Sequence, residues 1–243
     1  MTSYDTTKLR CYCCDKTSEH SVLMSSNSIG SPDLDQRPPG MIRSTIGSWL
    51  QECPYCGYVA SRLDKGDAKA RSFIDTVEFR AASLDPLADP PSRRFLVRAA
   101  QDAHGGDRKS AFLNTLSAAW IADDSDRPPD AQALRLKAAR HLEGGRITSI
   151  DTRLRLLDVL RRASSWEAAE ALAAELAAEG LEYPFPEIVS FHLGLIEAQD
   201  NGRYTIAQAL ADKPAPTDRE TDPELRKIVA DHLRKMRKPD DPA

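Results

Sequence analysis

Two kinds of pattern share the chain. Up to about residue 60 the apolar positions alternate only weakly. Val22/Met24 and Ile42/Thr45/Trp49 are the runs that read as short strands, set among turn chemistry at Asn27-Ser28, Gly30-Ser31-Pro32 and Pro38-Pro39-Gly40. Between the cysteine pairs this predicts a loose hairpin with a long loop. From about residue 64 the runs become rich in Ala, Leu, Glu and Arg, which are strong helix formers. Capping residues place helix starts at Asp89, Asp107, Ser149 and Asp222, and Gly105-Gly106, Gly144-Gly145, Gly180 and Asn201-Gly202 supply stops. Helices of about 12 to 16 residues joined by short turns follow, with no strand among them. The predicted fold class is mainly α: an N-terminal ribbon with short β structure over residues 8–60, then an all-α array of helical hairpins over residues 64–238.

Three helix openings resemble one another: Pro128 to Leu134, Trp166 to Leu172 and Tyr204 to Leu210. They align Ala131, Ala169 and Ala207 at a spacing of 38 residues, within the range of helical-hairpin repeats. A small residue there lets the second helix of a hairpin approach the first, and the bulky residue three positions earlier, Trp166 or Tyr204, wedges the turn. The stretch Phe191-His192-Leu193-Gly194-Leu195, followed by Tyr204-Thr205-Ile206-Ala207, resembles a tetratricopeptide repeat with Gly194 at the small position of its first helix. Pro128 stands where an aromatic is usual, and the period is longer than the ordinary ~34 residues. The last predicted helix, Asp222 to about Lys238, carries Leu225, Ile228, Val229, Leu233 and Met236 on one stripe, as the terminal cap of a repeat array requires.

Composition narrows the class. With 41% apolar and 29% charged residues the chain reads as globular, and no apolar stretch approaches the ~20 residues of a membrane span. The N-terminal stretch lacks the apolar core of a secretory signal, so a cytoplasmic location is expected. There, five cysteines are better read as metal ligands or free thiols than as disulfides.

Cys11-Tyr12-Cys13-Cys14 and Cys53-Pro54-Tyr55-Cys56 each offer the C-x₂-C spacing that brings two sulfurs onto one ion. Pro54 presets the second turn and Gly57 suits the left-handed residue that follows it; Asp15 stands at the equivalent of Gly57. The expected cofactor is one structural Zn²⁺ held by Cys11, Cys14, Cys53 and Cys56, with Cys13 a bystander and His20 a weaker candidate ligand. A ribbon this small cannot fold on its core alone, so the metal would be its main source of stability.

Cys53-Pro54-Tyr55-Cys56-Gly57-Tyr58-Val59-Ala60 resembles the second knuckle of a bacterial family of unknown function, in which two cysteine knuckles precede tetratricopeptide-like helices; Leu116 to Trp120 and Phe191 to Gly194 resemble its later helices. The first knuckle departs from that pattern in lacking its Pro and Gly. The resemblance implies zinc and a repeat architecture, and no reaction.

The chain carries no G-x-S-x-G elbow, phosphate loop, G-x-G-x-x-G or H-E-x-x-H. His104-Gly105-Gly106-Asp107 reads as a helix stop and the next cap, and Asp123-Asp124-Ser125-Asp126 as a solvated loop. His141, His192 and His232 sit at helical positions with no evident acid, base or nucleophile beside them. The expected function is therefore a non-enzymatic scaffold presenting a helical groove to a protein or peptide. A zinc-ribbon nucleic-acid binder would stack bases on Tyr12, Trp49, Tyr55 and Tyr58. Residues 1–60 hold five basic against six acidic side chains, however, which gives no phosphate-binding face. A thiol redox sensor built on Cys13 is the third reading.

Overall fold

The computed structural model describes residues 1–87 and 89–211. The fold is mostly helical, with two small antiparallel hairpins at the N-terminal end. Strand β1 (Ser3–Arg10) pairs with β2 (Thr17–Ser25) from Ser3 opposite Ser25 to Arg10 opposite Thr17. Helix α1 (Gly40–Arg43) and a 3₁₀ turn (Ile46–Ser48) follow, then β3 (Gln51–Glu52) against β4 (Val59–Ala60). The remaining elements are α2 (Ala68–Phe73), α3 (Val77–Ser83), α4 (Pro90–Gly105), α5 (Arg108–Asp124), α6 (Pro128–Arg140), α7 (Ile150–Arg162), α8 (Trp166–Ala178), α9 (Phe185–Glu197) and α10 (Ile206–Leu210).

Two expectations for the first segment change. The hairpin does not lie between the cysteine pairs: each cysteine pair is the turn of its own hairpin, Cys11 to Lys16 joining β1 to β2 and Cys53 to Tyr58 joining β3 to β4. Ile42, Thr45 and Trp49 are not a strand. Their spacing of three and four is the helical period, and with Ile46 they form the inner side of α1 and the 3₁₀ turn, where the Trp49 indole donates to Thr45 Oγ1 at 2.8 Å.

The helix starts follow from capping. The carboxylates of Asp89 and Asp107 accept from the backbone N–H of Ser92 and Ser110, both at 3.0 Å, and Ser149 stands at the N-cap of α7. At the other ends Gly106, Gly144 and Gly180 take positive φ. The expected final helix from Asp222 lies outside the described residues.

From α3 to α10 each helix packs on the next in sequence, the layout of an antiparallel array. Helix α5 is buried on most sides: Phe112, Leu116 and Trp120 join Phe95 of α4 and Leu134 of α6 in one core, which Ile46, Leu50 and Val59 of the N-terminal segment complete. A second core gathers Leu154, Leu157, Ala169, Leu176, Ile188 and Val189, together with Leu34. Ala131 and Ala169 are fully buried, each the fourth residue of its helix. The third match is out of register. Helix α10 begins at Ile206, which leaves Ala207 exposed and makes Ala209 the buried small residue. Gly194 is also exposed, and nothing lies within 4 Å of where its Cβ would be, so no helix uses it for close approach.

Residues 31–37 form no regular element, yet they thread into the helical array. Leu34 N–H donates to Tyr204 O and Ile206 N–H to Pro32 O, both at 2.9 Å, and Asp33 bridges to Thr205 as an antiparallel pair. Asp35 and Arg37, 0% and 1% exposed, reach α5 through Trp120 and Asp124.

Candidate metal centre

The two hairpins aim four sulfurs at one point. Cys11 and Cys56 Sγ lie 3.7 Å apart, Cys14 and Cys53 Sγ 3.6 Å apart, and all four fall within 4.8 Å of one another. A tetrahedron with metal–sulfur bonds of ~2.3 Å has edges of about 3.8 Å, so the tetrad has the dimensions of a four-thiolate site. Cys11 and Cys53 are buried, and Cys14 and Cys56 are partly exposed.

The turns themselves explain the convergence. In the first, Asp15 N–H donates to Cys11 O at 2.9 Å and Asp15 takes φ 61°; in the second, Gly57 N–H donates to Cys53 O at 2.9 Å and Gly57 takes φ 73°. Asp15 is thus the structural counterpart of Gly57, as its position in the sequence suggested, Asp being among the few residues that tolerate the left-handed region. A side chain at residue 57 would be crowded as well as strained, since a Cβ there would stand 2.8 Å from the Phe79 ring. Backbone N–H groups of Cys13 and Cys14 face the Cys11 sulfur, that of Lys16 faces Cys14, and that of Tyr58 faces Cys56.

Burial pushes the Cys11 and Cys56 thiols up, because a lone thiolate loses its water there. Burial opposes ionisation of Cys14 too, but the Lys16 N–H and the neighbouring sulfurs outweigh it and draw that thiol down. A divalent cation would reverse the balance at the buried thiols by holding all four as thiolates.

Packing fixes the site from behind. Tyr58 is 1% exposed and its hydroxyl donates to Lys65 O at 2.7 Å, while Arg71 of α2 donates to Tyr12 O at 2.6 Å and lies over the Tyr12 ring. Leu63 and Ala70 close the cluster.

The other candidates separate from this centre. Cys13 turns its sulfur toward Ala70 O at 3.7 Å, and His20 pairs with Ser18 at 2.7 Å on β2. Of the four aromatics, Tyr58 is buried, Tyr12 and Trp49 are half-buried, and Tyr55 is exposed. His104 packs on Phe73, and His141 Nε2 meets Thr115 Oγ1 at 3.1 Å. His192 is fully buried with Asp158 Oδ1 3.9 Å from its Nδ1; His232 lies outside the described residues.

Of the expected solvated loop, Asp124, Ser125 and Asp126 are exposed, but Asp123 is half-buried. Asp123 and Asp124 end α5, where Asp124 pairs with Arg37, and Asp123 takes Arg135 at 2.5 Å and Arg162 at 3.1 Å. Burial works against the Asp123 carboxylate, but Arg135, Arg162 and Arg37 outweigh it and hold its pKa below the usual range. This ion network was not foreseen, and Arg37, Arg135 and Arg162 are its buried cations.

Among the described residues no helix is long and apolar enough to cross a membrane. No family model matches the chain, and no curated protein or solved structure matches it.

Proposed function

We propose that the chain is a non-enzymatic scaffold in which one structural Zn²⁺ staples the N-terminal hairpins, while the helical array offers its surface to a protein or peptide partner. The reading includes a reducing, cytoplasmic location and kinship with the two-knuckle bacterial group that the second knuckle resembles. The cysteine tetrad carries it: sulfur separations of 3.6 and 3.7 Å fit a tetrahedral ion, and four protein thiolates leave no open position for water or substrate. A zinc ion there would cross-link residues 11–14 to residues 53–56, two turns far apart along the sequence. Residues 31–37 already fill the seam between α5, α7 and α10, so the partner would engage the outer helix faces.

The competing readings draw less support. A nucleic-acid face needs a platform of exposed aromatics, and of the four candidates only Tyr55 is exposed. A sensor built on Cys13 needs an accessible thiolate, and burial pushes that thiol up to about 12.

Elemental analysis of the purified protein, with thiol titration before and after chelation, tests the centre. One zinc per chain, and four thiols newly reactive once it is removed, is the expected result. Metal-free protein with all five cysteines reactive under reducing conditions would sink the reading and bring thiol chemistry forward.

A further inference from the structure

We propose that the crook between α6 and α7 binds a small anion bearing a phosphate group. The site is a cavity of about 320 Å³, at the small end of ligand pockets. Its polar side chains are three cations, Arg108, Lys109 and Arg146, and three hydroxyls, Thr148, Ser149 and Thr152; no carboxylate lines it. In a chain whose formal charge is −4, that local excess needs an explanation.

Each part of the cavity suits an anion. Arg108 is held in place by the end of α6, its Nε donating to His141 O at 2.7 Å and an Nη to Glu143 O. Gly145 makes room for it, since a Cβ there would lie 2.9 Å from Arg108 Nη1. Lys109 and Arg146 are exposed and form no ion pair among the described residues, so both can turn inward. The cavity also opens on the N-terminus of α7, a helix of 13 residues whose N-cap Ser149 makes no side-chain capping bond. That leaves first-turn N–H groups, and the positive end of the helix dipole, for a ligand.

Thr152 points to a ligand independently. It is 5% exposed and lines the cavity, and among the described residues its hydroxyl has no hydrogen-bond partner. With no protein partner, that hydroxyl is free to donate into the cavity, and a phosphate oxygen reaching the α7 N-terminus would accept from it. Asp151 of the same turn is outside the lining, and its backbone carbonyl accepts from Gln36. None of these residues belongs to the cysteine tetrad, so the inference stands or falls apart from the metal.

The test is an amide-resolved NMR titration of the full, metal-loaded chain with inorganic phosphate, against chloride at matched ionic strength, and then with a nucleoside monophosphate. Saturable shifts at residues 108–109 and 146–153, absent with chloride, are expected. Arg146→Ala should weaken binding about tenfold or more and Thr152→Val about fivefold. Tighter binding of the monophosphate would assign a phosphomonoester, and equal binding the free anion. Should Thr152→Val disturb the fold, Lys109→Ala, at an exposed position, takes its place. Shifts that chloride reproduces, or phosphate binding indifferent to Arg146→Ala and to Lys109→Ala, would overturn the proposal.

Discussion

Replacing Asp35 by asparagine removes one charge and almost no volume, at a position with no exposure at all. Its Oδ2 accepts the Trp120 indole N–H at 2.7 Å and lies 3.5 Å from Arg162 and 3.9 Å from Arg135; its Oδ1 accepts the Arg37 backbone N–H at 3.1 Å. Three guanidiniums here, of Arg37, Arg135 and Arg162, face three carboxylates, of Asp35, Asp123 and Asp124. Asparagine keeps a single acceptor oxygen, so it can hold the Trp120 indole or the Arg37 backbone N–H but not both, and its NH₂ then faces the other donor; charge and one hydrogen bond are lost together. One positive charge would be left uncompensated among side chains 1 to 9% exposed. Stranding a buried charge costs about 3–5 kcal/mol, and the lost acceptor makes the lower figure the least that Asp35→Asn should cost. With a urea slope of about 2 kcal/mol per molar, the midpoint should fall by about 1.5 M or more. Trp120 fluorescence reports the transition at its centre. Because the network is buried, 0.5 M salt should change the difference little, and adding Arg162→Met should recover part of it. A midpoint shift below about 0.3 M, or one abolished by salt, would refute the reasoning.

Two further substitutions follow from the same geometry. Gly57→Ala forces a left-handed residue against Phe79 and should cost about 1–3 kcal/mol, whereas Asp15→Gly relaxes the matching position and should cost nothing; thermal melts of the two variants compare them directly. His192 is lowered to about 4 by burial, despite the Asp158 carboxylate opposite it and with Arg161 adding to the fall, and neither ring nitrogen has a hydrogen-bond partner among the described residues. The unfolded chain takes up that proton near pH 6.5, so stability is full above this value and declines as pH drops toward 4, by up to about 3 kcal/mol. His192→Leu should flatten that decline between pH 6.5 and 4.5, and a variant with the wild-type slope would show that other groups cause it.

Local chemistry was the legible part of this chain. A carboxylate three residues before its N–H partner is a capping signal wherever it occurs, which is why Asp89 and Asp107 open helices where the sequence places them. The knuckles were legible for the same reason. C-x₂-C followed by a residue suited to positive φ describes a turn closed by its own backbone, and Asp15 repeats Gly57 within that description. Strand β1 was harder, because Ser3 to Thr6 are exposed on both faces and only Thr7 and Leu9 alternate with their neighbours, too short a run to betray it. At Ile42, Thr45 and Trp49 the signal was present and the period misjudged, three and four being helical spacings. Ala207 failed because a repeat inferred from identity ignores where the helix begins; two residues further on, Ala209 does the work that Ala131 and Ala169 do.

What stayed hidden is the burial of charge. Ser31-Pro32-Asp33-Leu34-Asp35-Gln36-Arg37 reads as a solvent loop by every compositional rule, and Asp123-Asp124-Ser125-Asp126 as another. The first is largely interior, while of the second Asp123 is half-buried and Asp124 to Asp126 stay exposed; what draws the first inside lies far along the chain, Arg37 meeting Asp124 across 87 positions and Asp35 meeting Trp120 across 85. Polarity along a sequence records that a side chain must be partnered, by water or by protein, and leaves open which. An arginine or aspartate whose partner is local is exposed at little cost; one whose partners are distant can be drawn inside only when several arrive together, as Arg135 and Arg162 do around Asp123. That cooperativity gives residues 31–37 a second function beside packing. Leu34 alone would fit many apolar seams, but Asp35 and Arg37 meet their opposite charges only where α5, α6 and α7 present them, so the network sets the register in which the N-terminal segment docks on the array.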